Sequence, residues 1–271
     1  SYVATGYGAT STNAGSPSLM GPVNNTFEGM GGDDVITGSG RTTASYFHAT
    51  AGVTVNLSSG ATNGSATSTA GGDAASVGND TLIGVNWVRG SEYADVLNGG
   101  AGNDVFVGGA GNDAATGGSG FDLMTYAPTF NNTVTSGIAV NMTTGIVTGD
   151  ASTGSDTLRS IETVRGTNFA DTYTATNFGA AGFTNPANFN VGNNGTFNEF
   201  EGMGGNDTIT GNNNTRILFW NASGAVTIDL AAGTADGDVS VGHDNFSGVV
   251  QVRGSSFNDT LLGRAAAASI R

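Results

Sequence analysis

Between Gly99 and Thr125 the chain obeys a nine-residue rule three times in succession. Gly99–Val107, Gly108–Thr116 and Gly117–Thr125 each read G-G-x-G-x-D-x-x-x, with Asp104, Asp113 and Asp122 in the sixth place. The first six residues of such a unit form a tight turn and the last three a short strand whose middle residue points inward. Apolar residues fill that eighth place: Leu97 in a looser preceding copy, then Phe106, Ala115 and Met124. Two units complete one coil, and coils stack at the strand spacing of about 4.8 Å. The rule therefore predicts an all-β parallel solenoid with apolar ladders inside and aspartates along two edges.

In such a solenoid each turn lies over the turn eighteen residues earlier, so Asp95 stacks near Asp113 and Asp104 near Asp122. Carboxylates at that spacing repel one another in a partly desolvated edge. A cation is the expected remedy, and oxygen ligands without nitrogen or sulfur favour Ca²⁺. Mg²⁺ suits the pattern less, because it demands a small octahedral shell and keeps its waters. Glycines at Gly99, Gly102, Gly108, Gly111, Gly117 and Gly120 supply the backbone angles that aim carbonyl oxygens at the ion.

This run resembles the repeats-in-toxin (RTX) nonapeptide. The resemblance implies a calcium-dependent parallel β-roll in a secreted bacterial protein, with export by a type I system. Looser copies extend it: Gly29–Thr37 with Asp34, Gly202–Thr210 with Asp207, and Gly90–Asn98 with Asp95.

A second pattern recurs three times, at Gly78–Gly99, Gly154–Ala175 and Gly242–Gly263. In each, an Asp follows a Gly by two, V-R-G follows, and a second Asp lies six beyond the Arg. The pairs are Asp80/Asp95, Asp156/Asp171 and Asp244/Asp259, and all are candidate calcium ligands. Asp73, Asp150 and Asp238 stand shortly upstream, either completing a site or marking an exposed turn. Arg89, Arg165 and Arg253 are expected to pair with a carboxylate or carbonyl and lock the cassette. Before each cassette an alternating segment (Val53-Val55-Leu57, Ile138-Val140-Met142, Val226-Ile228-Leu230) reads as a strand.

Longer self-similarity is also present. Phe27–Gly38 returns as Phe200–Gly211, and Tyr2–Ala9 returns as Tyr173–Ala180. The expected organisation is a β-roll module over 1–99, a second over 100–175, an irregular Asn/Gly-rich connection over 176–199, and a third module over 200–271. The chain reads as a segment of a tandem array.

Composition narrows the partners. The chain has 22 acidic residues against 8 basic ones, all eight of them Arg, for a net charge of −14. Nucleic acid is therefore not an expected partner, and no apolar run reaches membrane-spanning length. Ser1–Thr10 does not read as a signal peptide. With no cysteine, disulfides, zinc–thiolate sites and thiol catalysis are excluded. No H-E-x-x-H, G-x-S-x-G or phosphate loop is present, so no enzyme activity is expected. Trp87 and Trp220 are expected to pack, although sugar stacking by either would make glycan a partner.

The expected function is an extracellular, calcium-folded structural segment of a bacterial surface layer, adhesin stalk or filament. Calcium ions and neighbouring copies or repeats are the expected partners. The competing readings are a calcium-dependent accessory module of a secreted enzyme and a polysaccharide-binding module.

Overall fold

Short strands separated by glycine turns cannot bury apolar surface alone, but a stack of them can. The computed structural model describes residues 2–3, 25–58, 63–128, 134–264 and 269–270, and every regular element among them is a strand. In the nonapeptide block the strands Val96–Asn98, Val105–Val107, Ala114–Thr116 and Leu123–Thr125 are each three residues long. Their middle residues Leu97, Phe106, Ala115 and Met124 are fully buried. Leu97 lies opposite Ala115, and Phe106 opposite Met124, in parallel register. Two nonapeptides thus make one coil.

Alternate strands build two faces of one continuous sheet. One face is parallel from end to end. It stacks Asn25–Phe27, Thr42–Ser45, Trp87–Arg89, Val105–Val107, Leu123–Thr125, Thr163–Arg165 and Asn198–Glu201 in that order. The far halves of two long strands, Thr208–Leu218 and His243–Arg253, continue it.

The other face is interrupted three times by an antiparallel meander. The meanders are Val53–Asn56 with Gly64–Ser68 and Asp80–Ile83, then Ala139–Asn141 with Ile146–Thr148 and Ser155–Arg159. The third joins Thr227–Asp229, Thr234–Asp236 and the start of His243–Arg253. In each, the chain runs two strand positions ahead, turns back through a hairpin, and returns to stack on the strand it left. The alternating segments expected before each cassette are the leading strands of these meanders. Antiparallel neighbours need only a short turn, whereas parallel ones need a crossover; here the crossover is the half-coil through the opposite face. The roll therefore keeps its hydrogen bonds where the nonapeptide rule lapses.

The three meanders share one register. Thr54 lies opposite Val96, Ala139 opposite Thr172 and Thr227 opposite Thr260. Likewise Tyr2 lies opposite Ile36 as Tyr173 lies opposite Ile209, so the long sequence repeat is a repeat of structure.

Inward residues from both faces merge into a single apolar core. Tyr173 and Phe200 stack across it, with ring centroids 4.5 Å apart. Burying each large side chain contributes roughly 1.5–3 kcal/mol. The Asn/Gly-rich stretch after Thr174 forms turns that also enter this core. Asn190 is fully buried, and its amide accepts from the Ile161 N–H at 2.9 Å and donates to the Ile161 carbonyl at 2.7 Å. One side chain there does the work of a missing strand.

Two of the three cassette arginines depart from expectation. Arg165 does pair, with Nε 2.8 Å from Glu201 Oε2 and both side chains buried. Arg89 instead sits over the Phe47 ring at 3.8 Å, and Arg253 over the Trp220 ring at 3.5 Å. A planar, weakly hydrated guanidinium stacks readily on an aromatic face. Trp87 is buried against Val105 and Leu123.

Candidate metal centres

An aspartate placed just before a short strand has its carboxylate level with the backbone of the adjoining coil. The result is a ladder in which each main-chain N–H donates to the carboxylate of the next rung. Along the edge that leads into the meander-bearing face, Asp34 N–H donates to Asp80 at 2.9 Å. Asp95 donates to Asp113 at 2.8 Å, and Asp113 to Asp156 at 2.9 Å. Asp171 donates to Asp207 at 2.8 Å, and Asp207 to Asp244 at 3.0 Å.

The meanders cut this ladder at equivalent places. The rungs before Asp95, Asp171 and Asp259 are the apolar residues Val53, Ile138 and Val226, whose N–H groups donate to those aspartates at 2.8, 2.8 and 2.9 Å. Two three-carboxylate runs result, Asp95–Asp113–Asp156 and Asp171–Asp207–Asp244. The opposite edge holds one more run: Asp104 N–H donates to Asp122 at 2.8 Å, and Asp122 N–H to Glu162 Oε2 at 2.8 Å.

Sequence reasoning brought Asp95 and Asp104 to their correct partners but missed Glu162. The signal lay in the second cassette: Thr163–Arg165 stacks on Leu123–Thr125, so the residue before Thr163 inherits the rung of Asp122. Glu162 is fully buried, and its other oxygen accepts the Asn193 N–H at 2.7 Å.

Each run has one distinctive member. The middle carboxylates Asp113, Asp122 and Asp207 are at most 2% exposed, and in each Oδ2 is buried without a hydrogen-bond partner. Oδ2 lies against the first glycine of its own turn. A Cβ on Gly108 would stand 2.1 Å from Asp113 Oδ2, and one on Gly117 would stand 2.3 Å from Asp122 Oδ2. That glycine is required by proximity.

Burial is the main cause of a large electrostatic penalty. It pushes the carboxyls of Asp113 and Asp207 up to about 9, helped by Asp156 and Asp95 around the first and chiefly by Asp244 beside the second. Asp122, Asp156 and Asp244 rise to about 7, again chiefly through burial. Asp80, Asp95, Asp104 and Asp171 rise to about 6 for the same reason. Desolvation disfavours the charged form, and a like charge adds to it.

The donor set fits a hard divalent cation. At Asp122 the partnerless Oδ2 shares its turn with a main-chain carbonyl, since Asp122 Oδ2 and the Ser160 carbonyl both lie against the position a Cβ on Gly117 would take. Among the described residues no three Asp, Glu or His side chains converge as a ready-made shell. An ion held here must draw on main-chain oxygens as well, which suits the flexible oxygen coordination of Ca²⁺. Asp150 and Asp238 take no part in the ladder. Each is fully exposed and accepts from its own Ser152 or Ser240, which holds its carboxyl below the usual range.

No curated protein matches the chain. The sequence model of the RTX calcium-binding nonapeptide repeat matches it in four copies, over residues 21–40, 89–124 and 193–215. Those stretches contain Asp34, the rungs Asp95, Asp104, Asp113 and Asp122, and Asp207. The chain thus carries RTX calcium-binding nonapeptide repeats within an all-β roll.

Proposed function

We propose that this chain is a structural segment of an extracellular bacterial surface protein and that it folds when calcium becomes available outside the cell. The observation that carries the proposal is that Oδ2 of each middle-rung aspartate, Asp113, Asp122 and Asp207, is buried without a partner. A folded edge must either protonate these groups or place a cation beside them. A bound Ca²⁺ supplies the positive charge that lets all three stay ionised at neutral pH. Without it the runs Asp95–Asp113–Asp156, Asp104–Asp122–Glu162 and Asp171–Asp207–Asp244 oppose closure of the coils, so the calcium-free fold is weak and the acidic chain stays exportable.

RTX repeats are typical of secreted bacterial proteins, and sites of the extracellular class bind at roughly 10⁻⁴–10⁻³ M. Affinity of that order separates a calcium-poor cytoplasm from a calcium-rich exterior, so binding free energy becomes folding free energy on export. Recurrence of the meander in one register supports an array that sets length and stiffness, rather than a single accessory module.

Calcium titration of the chelator-treated protein, followed by far-UV circular dichroism and light scattering, tests the proposal. The expected outcome is a cooperative gain of β signal, or a sharp rise in melting temperature, at sub-millimolar to millimolar calcium. A melting curve unchanged between excess calcium and excess chelator would overturn it.

A further inference from the structure

The ladder uses two kinds of turn, and at six of its aspartates the residue four places earlier separates them. Before the middle carboxylates Asp113, Asp122 and Asp207 that residue is left-handed: Gly109 has φ 106°, Gly118 φ 91° and Met203 φ 69°. Oδ2 of each following aspartate has no partner. We call these turns open.

Before Asp95, Asp171 and Asp259 the equivalent residues are Ser91, Thr167 and Ser255, none with positive φ. Their N–H groups donate to Oδ2 of the aspartate at 2.6, 2.7 and 2.7 Å. Their hydroxyls donate to Oδ1 at 2.7, 2.9 and 2.5 Å. The same hydroxyls accept the N–H of Tyr93, Phe169 and Phe257 at 3.1, 3.0 and 3.0 Å. These turns are closed, with both carboxylate oxygens and the turn's own N–H groups satisfied by protein.

We infer that the hydroxyls of Ser91, Thr167 and Ser255 are built-in stops on the meander-side edge, ending the runs at Asp95 and Asp171 and closing the equivalent turn at Asp259. In the closed turns a serine or threonine hydroxyl and a main-chain N–H supply what an ion supplies in the open ones. Calcium then occupies the runs around Asp113, Asp122 and Asp207, while Asp95, Asp171 and Asp259 are fastened to Val53, Ile138 and Val226 without an ion. In each closed turn Oδ1 accepts two donors and Oδ2 one, so protein fills three of the carboxylate's roughly four lone-pair sites, whereas Oδ2 of an open turn meets no donor and is left to a cation. The stop falls where the ladder needs one, because the preceding rung is apolar and offers no second carboxylate. This inference rests on the calcium reading above and specifies which turns it covers.

A graft tests it. Thr167→Gly, Asn168→Ala, Phe169→Gly and Ala170→Asn together rewrite Gly166–Asp171 in the order of Gly108–Asp113, and three of the four positions are exposed. Bound calcium is counted by equilibrium dialysis of the full chain, with folding checked by circular dichroism. The expected result is a gain of about one ion per molecule over the wild type. An unchanged count in a folded graft overturns the stop. Should the graft not fold, Asp171→Asn and Asp207→Asn decide: the first leaves the count unchanged and the second lowers it, and equal losses overturn the inference. A wild type that binds no calcium defeats the functional reading itself, whereas a calcium-binding wild type with a silent graft defeats only the stop.

Discussion

Gly99–Asp104 and Gly108–Asp113 have the same six residues, G-G-A-G-N-D, and fold differently. In the first, the Gly100 N–H closes onto Asp104 Oδ2 at 2.7 Å. In the second, Gly109 is left-handed and Asp113 Oδ2 has no partner. Local sequence cannot account for the difference. Position in the ladder can: the rung before Asp104 is the uncharged Asn86, whereas Asp113 lies between Asp95 and Asp156. A glycine turn takes either form because glycine enters the left-handed region at little cost. The neighbouring rungs select the form, and with it the demand for a cation.

The largest effect on this contrast should come from neutralising the three middle carboxylates together. The triple variant Asp113→Asn, Asp122→Asn, Asp207→Asn keeps an oxygen to accept each rung N–H but removes the buried charges. In chelator it should melt well above the wild type, since an unsatisfied buried polar group costs about 1–3 kcal/mol and a charged one more. Its melting temperature should respond little to calcium. A triple variant that still needs calcium to fold would show that the middle carboxylates are not the source of the demand.

Proton concentration offers a second handle. Asp113 and Asp207 have folded-state values near 9, against 3.8 unfolded. The calcium-free fold therefore binds more protons than the unfolded chain between about pH 4 and 9, and its stability rises as pH falls through that window. With calcium present, protons compete with the ion for the same oxygens, so acidification should lower stability instead. Melting curves from pH 9 to 5 in chelator and in calcium should slope in opposite directions. Parallel slopes would mean that the raised carboxyls do not govern folding.

The same contrast explains what could be read from the chain alone. A strict nine-residue period fixes the eighteen-residue coil, so the stacking of Asp95 on Asp113 and of Asp104 on Asp122 was legible. Asp156 lies 43 residues beyond Asp113 and Glu162 lies 40 beyond Asp122, because a meander is inserted between these rungs. No period reports such a contact. Alternation at Val53-Val55-Leu57 announces a strand, yet period two is the same for a parallel partner and an antiparallel one. The returning strand Gly64–Ser68, G-S-A-T-S, carries almost no apolar signal. Its place is set by the coil beneath it. Phe47 and Trp220 likewise give no local sign that they seat Arg89 and Arg253, since the stacking pairs are distant in sequence.

A smaller and more pointed effect should follow from one residue outside the nonapeptides. Asn86→Asp places a carboxylate on the rung before Asp104, where Val105 N–H already meets the Asn86 carbonyl at 3.0 Å. Asp104 then becomes an interior member of a four-carboxylate run, as Asp113 is in its own. If the ladder selects the turn form, the Gly100 N–H should leave Asp104 Oδ2, and the amide of Gly100 should lose hydrogen-exchange protection in chelator. Like charge added to a buried row should also lower the calcium-free melting temperature by a few degrees while leaving the calcium-bound one nearly unchanged. Gly109 serves as the internal reference, since its turn is open in both proteins. Retained protection at Gly100, with equal melting shifts in calcium and in chelator, would return the choice of turn to something other than neighbouring charge.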